Sequence, residues 1–381
     1  MTLQELRTKN KITLTALAAT QEPEAEPEQT RKEEMTIRAG RQRWSFGEKC
    51  LYQLEIQDKN GAIQIITKPL ALKVWPIEMF HRIENDEYGV RYRYITRDGQ
   101  ERYATLPASS YVDVRAASQA SAQAARRGVQ IYPKTKSLFA MGLGHWSAQS
   151  RERMIKLVRT PGWHKEKQLY VNGNTIFGGK DWFADEMHPA IVRRSARQGD
   201  VEAWTTRFSE LFCTPGLLAT LGLSLAGPLV GKLDMISFGF HLHGHSSFGK
   251  STAARLAASV WGAPSAMMQS WDCTLRALEG LADVADGGCM VLDELKRFRG
   301  DEESLSAAIH GLCSVQGRSR LLQNGALAHQ RQWQNTILST GEVSIRDSLG
   351  NRFQGGHRVR MIDVEIGNGD LTKDAEHAKA L

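Results

Sequence analysis

Alternation of apolar and polar residues dominates the first half of the chain and predicts strands. Four segments alternate with a period of two residues or are rich in β-branched residues. They are YQLEI (52–56), AIQIIT (62–67), ALKVW (71–75) and YRYIT (92–96). The pair Asp98-Gly99 predicts a hairpin, because it supplies the positive φ angles that a two-residue turn needs. Helices are predicted around 116–127 and 147–157. These elements together predict a smaller N-terminal α+β domain over residues 43–185.

The second half of the chain changes to helical spacing and then to alternating strands and helices. GDVEAWTTRFSELF (199–212) carries apolar residues at helical spacing, and the apolar stretch after it predicts a second helix. From Met235 onward a strand, a glycine loop, a helix and another strand follow in order, which is typical of a parallel α/β core. We predict this domain over residues 190–368, with the boundary between Gly179 and Gly199.

Both ends of the chain are polar. Residues 1–40 include the run QEPEAEPEQ (21–29), which cannot bury enough apolar surface to offset the entropy of ordering. We therefore predict a flexible tail over 1–40 and a polar C-terminal tail over 369–381. The longest apolar stretch, 217–230, is shorter than the roughly 20 residues that cross a bilayer, and the N-terminus has no apolar signal segment. We expect a cytoplasmic protein with no membrane partner.

Composition supports a globular intracellular protein. The 381 residues are 41% hydrophobic, which excludes collagen, coiled coil and wholesale disorder. Lys and Arg number 49 against 42 Asp and Glu, a net charge of +7 that permits a polyanionic partner without requiring one. The five cysteines are scattered without a CxxC pair and are typical of reduced thiols.

A glycine-rich loop follows the first strand of the predicted α/β core. The apolar run FGFHLH (238–243) leads directly into GHSSFGKST (244–252), which fills every fixed position of GxxxxGK(S/T). Backbone N–H groups and a helix N-terminus surround a polyphosphate in this motif, the lysine reaches the β- and γ-phosphates, and the next hydroxyl coordinates Mg²⁺. The loop predicts ATP and Mg²⁺ as cofactors. The predicted binding residues are Gly244, Ser246, Ser247, Phe248, Gly249, Lys250, Ser251 and Thr252.

A second apolar run, GGCMVLDE (287–294), ends in two carboxylates. We predict that Asp293 holds Mg²⁺ together with Ser251, and that Glu294 polarises the attacking water as general base. The adjacent pair favours a hydrolysing ATPase over a small-molecule kinase. The alternative is a strand that merely ends in acids at a helix cap.

A third strand, ending in ILST (337–340), closes with small polar residues. Ser339 or Thr340 is the predicted sensor that orients the attacking water, and a plain strand-end turn is the alternative. Arginines are dense beyond this strand. In a ring ATPase one such arginine stabilises the γ-phosphate bound to a neighbouring subunit, whereas the others are solvated. They are Arg346, Arg352, Arg358 and Arg360.

A basic hairpin is predicted between the second and third of these strands. A helix over 301–314 is followed by GRSRLLQNGALAHQR (317–331), whose Asn-Gly pair is a strong hairpin signal. Its arms carry Arg318, Arg320, His329 and Arg331. We predict that these four residues contact the phosphates of single-stranded DNA, and a solvated basic face is the alternative.

The histidines His241, His243 and His245 form an HxHxH pattern that could suggest a metal site. The run leads into the glycine-rich loop, and no nearby cysteine or acidic cluster completes a ligand set. We therefore interpret these histidines as strand residues, and Cys273 as structural.

Several of these segments resemble the family of bacterial, phage and integrative-element proteins with domain of unknown function 927. That family is similar to AAA+ helicases of the broad class that contains superfamily 3 and MCM-like motors. The resemblance runs from about residue 50 to 366. It rests on RTPGWH (159–164), GDVEAW (199–204), GFHLHGHSSFGKSTAARLAASVWGAP (239–264), SWDCTLRALEG (270–280), GGCMVLDEL (287–295), QGRSRLLQNG (316–325), LSTGE (338–342) and HRVRMIDV (357–364).

The resemblance implies an AAA+-like P-loop NTPase core with a parallel sheet, preceded by a smaller α+β domain. It also implies a homo-oligomeric ring, which we expect to be a hexamer. Arg352 and Arg360 fall on the basic positions that close the motor core and are the candidate residues for the subunit interface. The resemblance places the ATP site on Lys250, Ser251, Asp293 and Glu294.

The function expected from these observations is an ATP-dependent DNA translocase or helicase that replicates a phage or mobile genetic element in a bacterial or phage-infected cell. The chain ends soon after Ile366, and residues 1–40 are too few and too polar for a primase. We therefore expect a separate primase or origin-binding protein as partner. The alternative is a nucleotide-switched AAA+ module that loads or remodels proteins, in assembly or defence, without separating strands.

Overall fold

Antiparallel strands build the beginning of the chain in the computed structural model. The first four form one sheet in the order β1-β2-β3-β4, with antiparallel pairing throughout. They are β1 Met35–Ala39, β2 Gln42–Phe46, β3 Cys50–Lys59 and β4 Ala62–Leu72. The residues described are 35–39, 42–46, 50–59, 62–164, 166, 168–179, 181–185, 199–211, 214–317, 319 and 330–380.

Strand β1 corrects the predicted bounds of the N-terminal tail. Met35–Ala39, which composition placed in the flexible segment 1–40, pairs with β2 over its whole length. Pairing satisfies the backbone N–H and C=O groups of this segment, which follows directly on a polar run. Residues 1–34 lie outside the described part of the chain.

Two helices follow in the same half of the chain. Helix α1, Val114–Arg126, begins where the Asp113 carboxylate accepts a hydrogen bond from the Ala116 N–H, as an N-cap does. Helix α2 is Lys136–Gln149. The helix predicted around 147–157 is wrong, because its second half is a strand.

That strand, β8, belongs to a second, five-stranded sheet in the order β12-β8-β5-β6-β7. The sheet includes β5 Val74–Arg82, β6 Glu87–Ile95, β7 Glu101–Pro107, β8 Met154–Val158 and β12 Trp182–Ala184. The predicted turn at Gly99 lies between β6 and β7 with φ +83°, which confirms the hairpin. The predicted strand 71–75 is instead divided at Lys73, where φ is 47°.

A three-stranded antiparallel sheet, in the order β11-β10-β9, precedes the C-terminal half. Its strands are β9 Gly162–His164, β10 Leu169–Asn172 and β11 Thr175–Phe177. The RTPGWH segment therefore ends in β9. The Trp163 indole N–H donates to the Pro228 carbonyl, and the Tyr170 hydroxyl donates to that of Gly287. Both bonds join this small sheet to the elements that follow it.

The C-terminal half is built on a five-stranded parallel sheet in the order β14-β15-β16-β13-β17. Its strands are β13 Phe238–His243, β14 Met268–Ser270, β15 Cys289–Asp293, β16 Thr336–Thr340 and β17 Met361–Glu365. Its helices are α3 Val201–Leu211, α4 Pro215–Leu225, α5 Gly227–Lys232, α6 Lys250–Ser259, α7 Pro264–Met267, α8 Leu275–Val284, α9 Glu302–Leu312, α10 Ile345–Leu349, α11 Gly355–Arg360 and α12 Ala375–Ala380. None of the helices in the described residues is long and apolar enough to cross a membrane.

Both faces of the parallel sheet are covered at its strand β15, which is apolar from Cys289 to Leu292 rather than alternating. On β15, Met290 and Leu292 belong to one core cluster, with helices α8 and α9. Cys289 and Val291 point the other way and belong to the cluster that contains helix α6. A mixed α/β chain with a parallel sheet in its second half is the observed fold class.

The chain divides into two compact units. The first comprises the described residues up to Pro76 together with Arg93–Arg102 and Tyr111–Gln149. The second comprises Ile77–Tyr92, Tyr103–Ser110 and the described residues from Ser150 onward. The boundary predicted between Gly179 and Gly199 therefore falls inside the second unit.

The segment predicted as a polar C-terminal tail packs against the core of the second unit. Leu371 is fully buried, and its carbonyl accepts a hydrogen bond of 2.9 Å from the Thr214 hydroxyl. Helix α12 follows it. Leu371 lies between polar and charged residues, which is why composition alone assigned 369–381 to solvent.

Candidate active site

The carboxyl ends of β13, β16 and β15 lie side by side at one edge of the parallel sheet. β16 pairs with both neighbours, so the residues that follow these three strands are brought together although they are far apart in sequence. Ligands of open parallel sheets bind at this edge, where the strand order reverses. The predicted glycine-rich loop, the acidic pair and the sensor candidates all follow these strands.

Two glycines set the path of the loop between β13 and α6. Gly244 has φ +141°, and a Cβ at this position would lie 2.4 Å from the Ile366 carbonyl oxygen. Gly249 has φ +84° and caps helix α6 in a left-handed conformation. Both conformations favour glycine, which explains why these positions carry it.

Lys250 begins helix α6 and turns back over the loop. Its side-chain amine donates hydrogen bonds to the carbonyls of Gly244, at 2.9 Å, and His245, at 2.6 Å. Burial lowers the pKa of this amine, while Glu342 and Asp293 act in the opposite direction. The sheet edge therefore holds a cation that is largely removed from solvent.

Asp293 and Thr340 meet across β15 and β16. The Thr340 hydroxyl donates a hydrogen bond of 2.5 Å to Asp293 Oδ1. The same hydroxyl accepts a bond of 3.1 Å from the Glu294 N–H. One threonine side chain therefore orients the aspartate and fixes the backbone of the next residue.

Glu294, the predicted general base, lies beside Arg297. Its backbone is left-handed, with φ 64°, and its carboxylate forms an ion pair with the Arg297 guanidinium. Its side chain is about half exposed. The Glu294 carboxylate, which we predict to polarise the attacking water, is therefore paired with Arg297 in this structure.

These groups line one cleft of about 420 Å³, within the usual size range of small-molecule sites. Most predicted binding residues face it, but Phe248 instead packs against the core cluster behind α6. Sequence reasoning missed Lys296 and Glu342, each two residues beyond a predicted site residue, whose side chains approach to 3.8 Å. The lining residues are Ser246, Ser247, Gly249, Lys250, Ser251, Thr252, Asp293, Glu294, Lys296, Thr340, Gly341 and Glu342.

The oxygen groups of this cleft fit a hard divalent cation. Ser251, which is exposed, and Asp293 line the same cavity, and hydroxyl and carboxylate oxygens are the ligands that Mg²⁺ prefers. Mg²⁺ is usually bound by one or two carboxylates together with substrate phosphates. Ser251 and Asp293, in a cleft of the size of a small-molecule site, meet that requirement.

Ser339 and Thr340 face opposite sides of β16, as consecutive strand residues do. Ser339 is fully buried. Its hydroxyl lies 2.8 Å from His241 Nδ1 and accepts a bond of 2.9 Å from the Trp271 indole N–H. Of the two sensor candidates, Thr340 alone lines the cleft, and Ser339 belongs to the core.

His241 completes this buried chain of polar groups. Its Nε2 lies 2.9 Å from the Val343 carbonyl, which can only accept, so Nε2 carries the proton and Nδ1 accepts from Ser339. Burial lowers the pKa of His241 to about 4, so the ring is neutral at pH 7. Its ring stacks near His243 with centroids 6.1 Å apart. The bonds to Ser339 and Val343 use both ring nitrogens.

The two arginines predicted for a subunit interface contact their own chain. Arg352 forms an ion pair of 3.0 Å with Glu303. The Arg360 guanidinium donates to the Gly356 carbonyl at 2.9 Å. Neither is among the described residues that line the cleft.

The predicted basic hairpin lies mostly outside the described residues, including Arg318, Arg320 and His329. Its base is described. The Gly317 N–H donates to the Arg331 carbonyl at 2.9 Å, and Gln316 bridges Gln332 in antiparallel fashion. Arg331 also lies 3.6 Å from the Asp283 carboxylate. The two flanks of the segment are therefore paired side by side.

Comparison with known proteins found one family and a small set of solved structures. The profile of the family described as "Domain of unknown function (DUF927)" matches residues 48–332. No curated protein matches the chain. A structure described as "SCCmec type IV Cch - active helicase" is similar with a TM-score of 0.65 and 18% identity over 90% of this chain.

The chain spans 61% of the length of that helicase. A second structure, described as the A form apo structure of the NrS-1 C terminal region, is similar with a TM-score of 0.32 and 10% identity, over 80% of this chain and 62% of its own. The first likeness shows a shared fold. The second is too remote for a comparison of sites.

Proposed function

The chain belongs to the DUF927 family, and on that premise we propose that it is an ATP-dependent DNA translocase or helicase with a P-loop NTPase core. The observation that carries the proposal is the cleft at the end of β13, β16 and β15. A glycine-rich loop, a buried lysine and a threonine-oriented aspartate converge there. This set provides phosphate-binding N–H groups, a cation and an oxygen ligand for a metal.

In the proposed hydrolysis, each residue of the cleft has a separate role. Mg²⁺, held by Ser251 and Asp293, would neutralise charge on the β- and γ-phosphates. The Lys250 amine exchanges its bonds to loop carbonyls for bonds to phosphate oxygens. The Thr340 hydroxyl keeps the Asp293 carboxylate in place, and Glu294 leaves Arg297 to accept a proton from the attacking water.

The subunit arrangement follows from the family resemblance to AAA+ motors. We propose a homo-oligomeric ring, a hexamer, in which Arg352 or Arg360 exchanges its contact within the chain for the γ-phosphate at the neighbouring subunit. The paired flanks of 317–331 support a hairpin that carries Arg318 and Arg320 toward single-stranded DNA. The fold shared with a helicase of an SCCmec element supports a role in replicating a mobile genetic element.

The test is the ATP hydrolysis rate, with and without single-stranded DNA, of the wild type and two variants. Lys250→Ala removes the phosphate-binding cation and should abolish ATP binding. Glu294→Gln should retain ATP binding and lower hydrolysis by about 100-fold or more, because the general base is lost. Glu365→Gln, an exposed acid at the end of β17, is the matched control and should hydrolyse ATP as the wild type does.

The outcomes separate the ATPase from the helicase. Wild-type rates in both cleft variants would overturn the ATPase assignment. If hydrolysis occurs but single-stranded DNA does not stimulate it at low salt, and no strand is displaced from a forked duplex, the chain is a nucleotide-switched remodelling or loading module instead.

A further inference from the structure

A row of aromatic and basic side chains crosses the sheet that contains β12, β8, β5 and β6. Trp182 on β12 is in register with Lys156 on β8, and Lys156 is in register with His81 on β5. Register partners of parallel strands project from the same face. The His81 ring stacks on Tyr88 of β6, with centroids 4.3 Å apart and planes 9° apart, so all four side chains share that face.

The row is accessible from solvent. Tyr88 is 44% exposed and the Lys156 side chain is exposed, while Trp182 and His81 are half-buried. On the opposite face, Leu157 of β8 and Phe80 of β5 are fully buried. With neighbouring strands about 4.8 Å apart, four strands give a row of about 14 Å.

The charges of the row are arranged for an anionic ligand that carries flat rings. The Lys156 amine lies 5.3 Å from the centre of the Trp182 ring. It has no ion-pair partner in the part of the chain that the structure describes. His81, on the other side of Lys156 from Trp182, contacts the exposed Asp86 at 2.6 Å. The centre of the row therefore presents a cation between aromatic rings.

We propose that this face, formed by Trp182, Lys156, His81 and Tyr88, binds single-stranded nucleic acid. Bases stack on exposed aromatic rings regardless of sequence, and a lysine between the rings contacts the phosphate backbone. The length of the row accommodates about two or three stacked bases. The surface is a second contact for the DNA of the proposed function, but the argument for it uses no residue of the nucleotide cleft or of the hairpin.

The test is the dissociation constant of a fluorescent oligothymidylate of about 20 nucleotides, measured by anisotropy with the full chain and without nucleotide. Trp182→Ala and Tyr88→Ala should each weaken binding by roughly fivefold or more, and the double variant by more than either. Phe183→Ala is the matched control. Phe183 adjoins Trp182 on β12 and is 39% exposed, but it is in register with buried Leu157 and so projects from the opposite face.

Lys156→Gln provides a second measurement that does not depend on removing a ring. The slope of log affinity against log salt should become shallower by about 0.7, the value for one phosphate contact on a single strand. Thermal unfolding of each variant shows whether it is folded. Binding and salt slope unchanged in folded Trp182→Ala, Tyr88→Ala and Lys156→Gln proteins would overturn the proposal. Because nucleotide is absent, that result leaves the ATPase proposal standing.

Discussion

Ser339 and Thr340 are neighbours on β16 that face opposite sides, so replacing each should separate stability from hydrolysis. Ser339→Ala should destabilise the fold and leave the cleft chemistry in place. Thr340→Val should leave the fold nearly as stable and impair hydrolysis. The two residues differ in sequence position by one, and only their side-chain directions distinguish them.

The stability cost of Ser339→Ala follows from the two hydrogen bonds that the Ser339 hydroxyl forms. The hydroxyl accepts from the Trp271 indole N–H at 2.9 Å and lies 2.8 Å from His241 Nδ1. All three side chains are fully buried, so water does not replace the lost bonds. Each orphaned group costs about 1–3 kcal/mol, and the two together cost about 2–5 kcal/mol because neighbouring effects do not simply add.

Thr340→Val preserves the shape of the side chain and removes only the hydroxyl. Its loss removes two bonds, the one to Asp293 Oδ1 and the one from the Glu294 N–H. Both residues line the cleft, where water can take over these bonds, so the stability cost is about 1 kcal/mol. The proposed metal-holding carboxylate loses the group that orients it. Loss of such an outer partner lowers metal affinity or activity by roughly 10- to 100-fold.

Urea unfolding followed by tryptophan fluorescence measures the first effect, and the ATP hydrolysis rate at saturating ATP and Mg²⁺ measures the second. Ser348→Ala is the control, since its hydroxyl donates only within its own helix, to the Ser344 carbonyl. A Ser339→Ala protein with the wild-type urea midpoint would refute the buried chain of hydrogen bonds. A Thr340→Val protein with wild-type hydrolysis would refute the role of Thr340 in the cleft.

Three further outcomes are expected. Burial lowers the pKa of His241 to about 4, so between that pH and about 6.5 the unfolded chain binds one proton more than the folded chain. The free energy of unfolding should therefore fall by about 2 kcal/mol from about pH 6.5 to 5. Calorimetry of His241→Gln should show a flatter dependence of stability on pH. Arg82→Ala should lower the free energy of unfolding by about 3–5 kcal/mol, because it leaves the buried Asp185 without its cation, whereas the control Arg97→Ala, an exposed residue, should change it little. Neutralising Arg318 and Arg320 together should weaken binding of single-stranded DNA and make its salt dependence shallower, and an unchanged slope would remove these residues from the interface.

The order of elements in the second half of the chain could be predicted because each one has a local cause. Apolar runs of strand length, the glycines of the loop and a capped helix are all encoded within a few residues. Asp301, for example, caps α9 through the Ser304 N–H, within the helix predicted over 301–314. The spacing also predicted which strand ends carry Lys250 and Asp293, and the structure brings both to one cleft.

The first half was less predictable because its strands depend on partners elsewhere in the chain. Met154–Val158 is short and has a pattern compatible with a helix, and it becomes β8 because β5 and β12 pair with it on both sides. Met35–Ala39 lies next to a polar run and becomes a strand through β2. Pairing between distant segments overrides local propensity in both cases.

The direction of a side chain on a strand was the part of the site that spacing could not supply. Period-2 alternation states that Ser339 and Thr340 face opposite sides, but not which of them faces the cleft. The choice is made by Trp271 and His241, which lie on other segments of the sheet and hold the Ser339 hydroxyl between them. Since Ser339 is held in the core, Thr340 projects into the cleft, where Asp293 accepts a hydrogen bond from its hydroxyl. His241, which belongs to the HxHxH pattern, and Trp271 thereby determine which of the two residues faces the cleft.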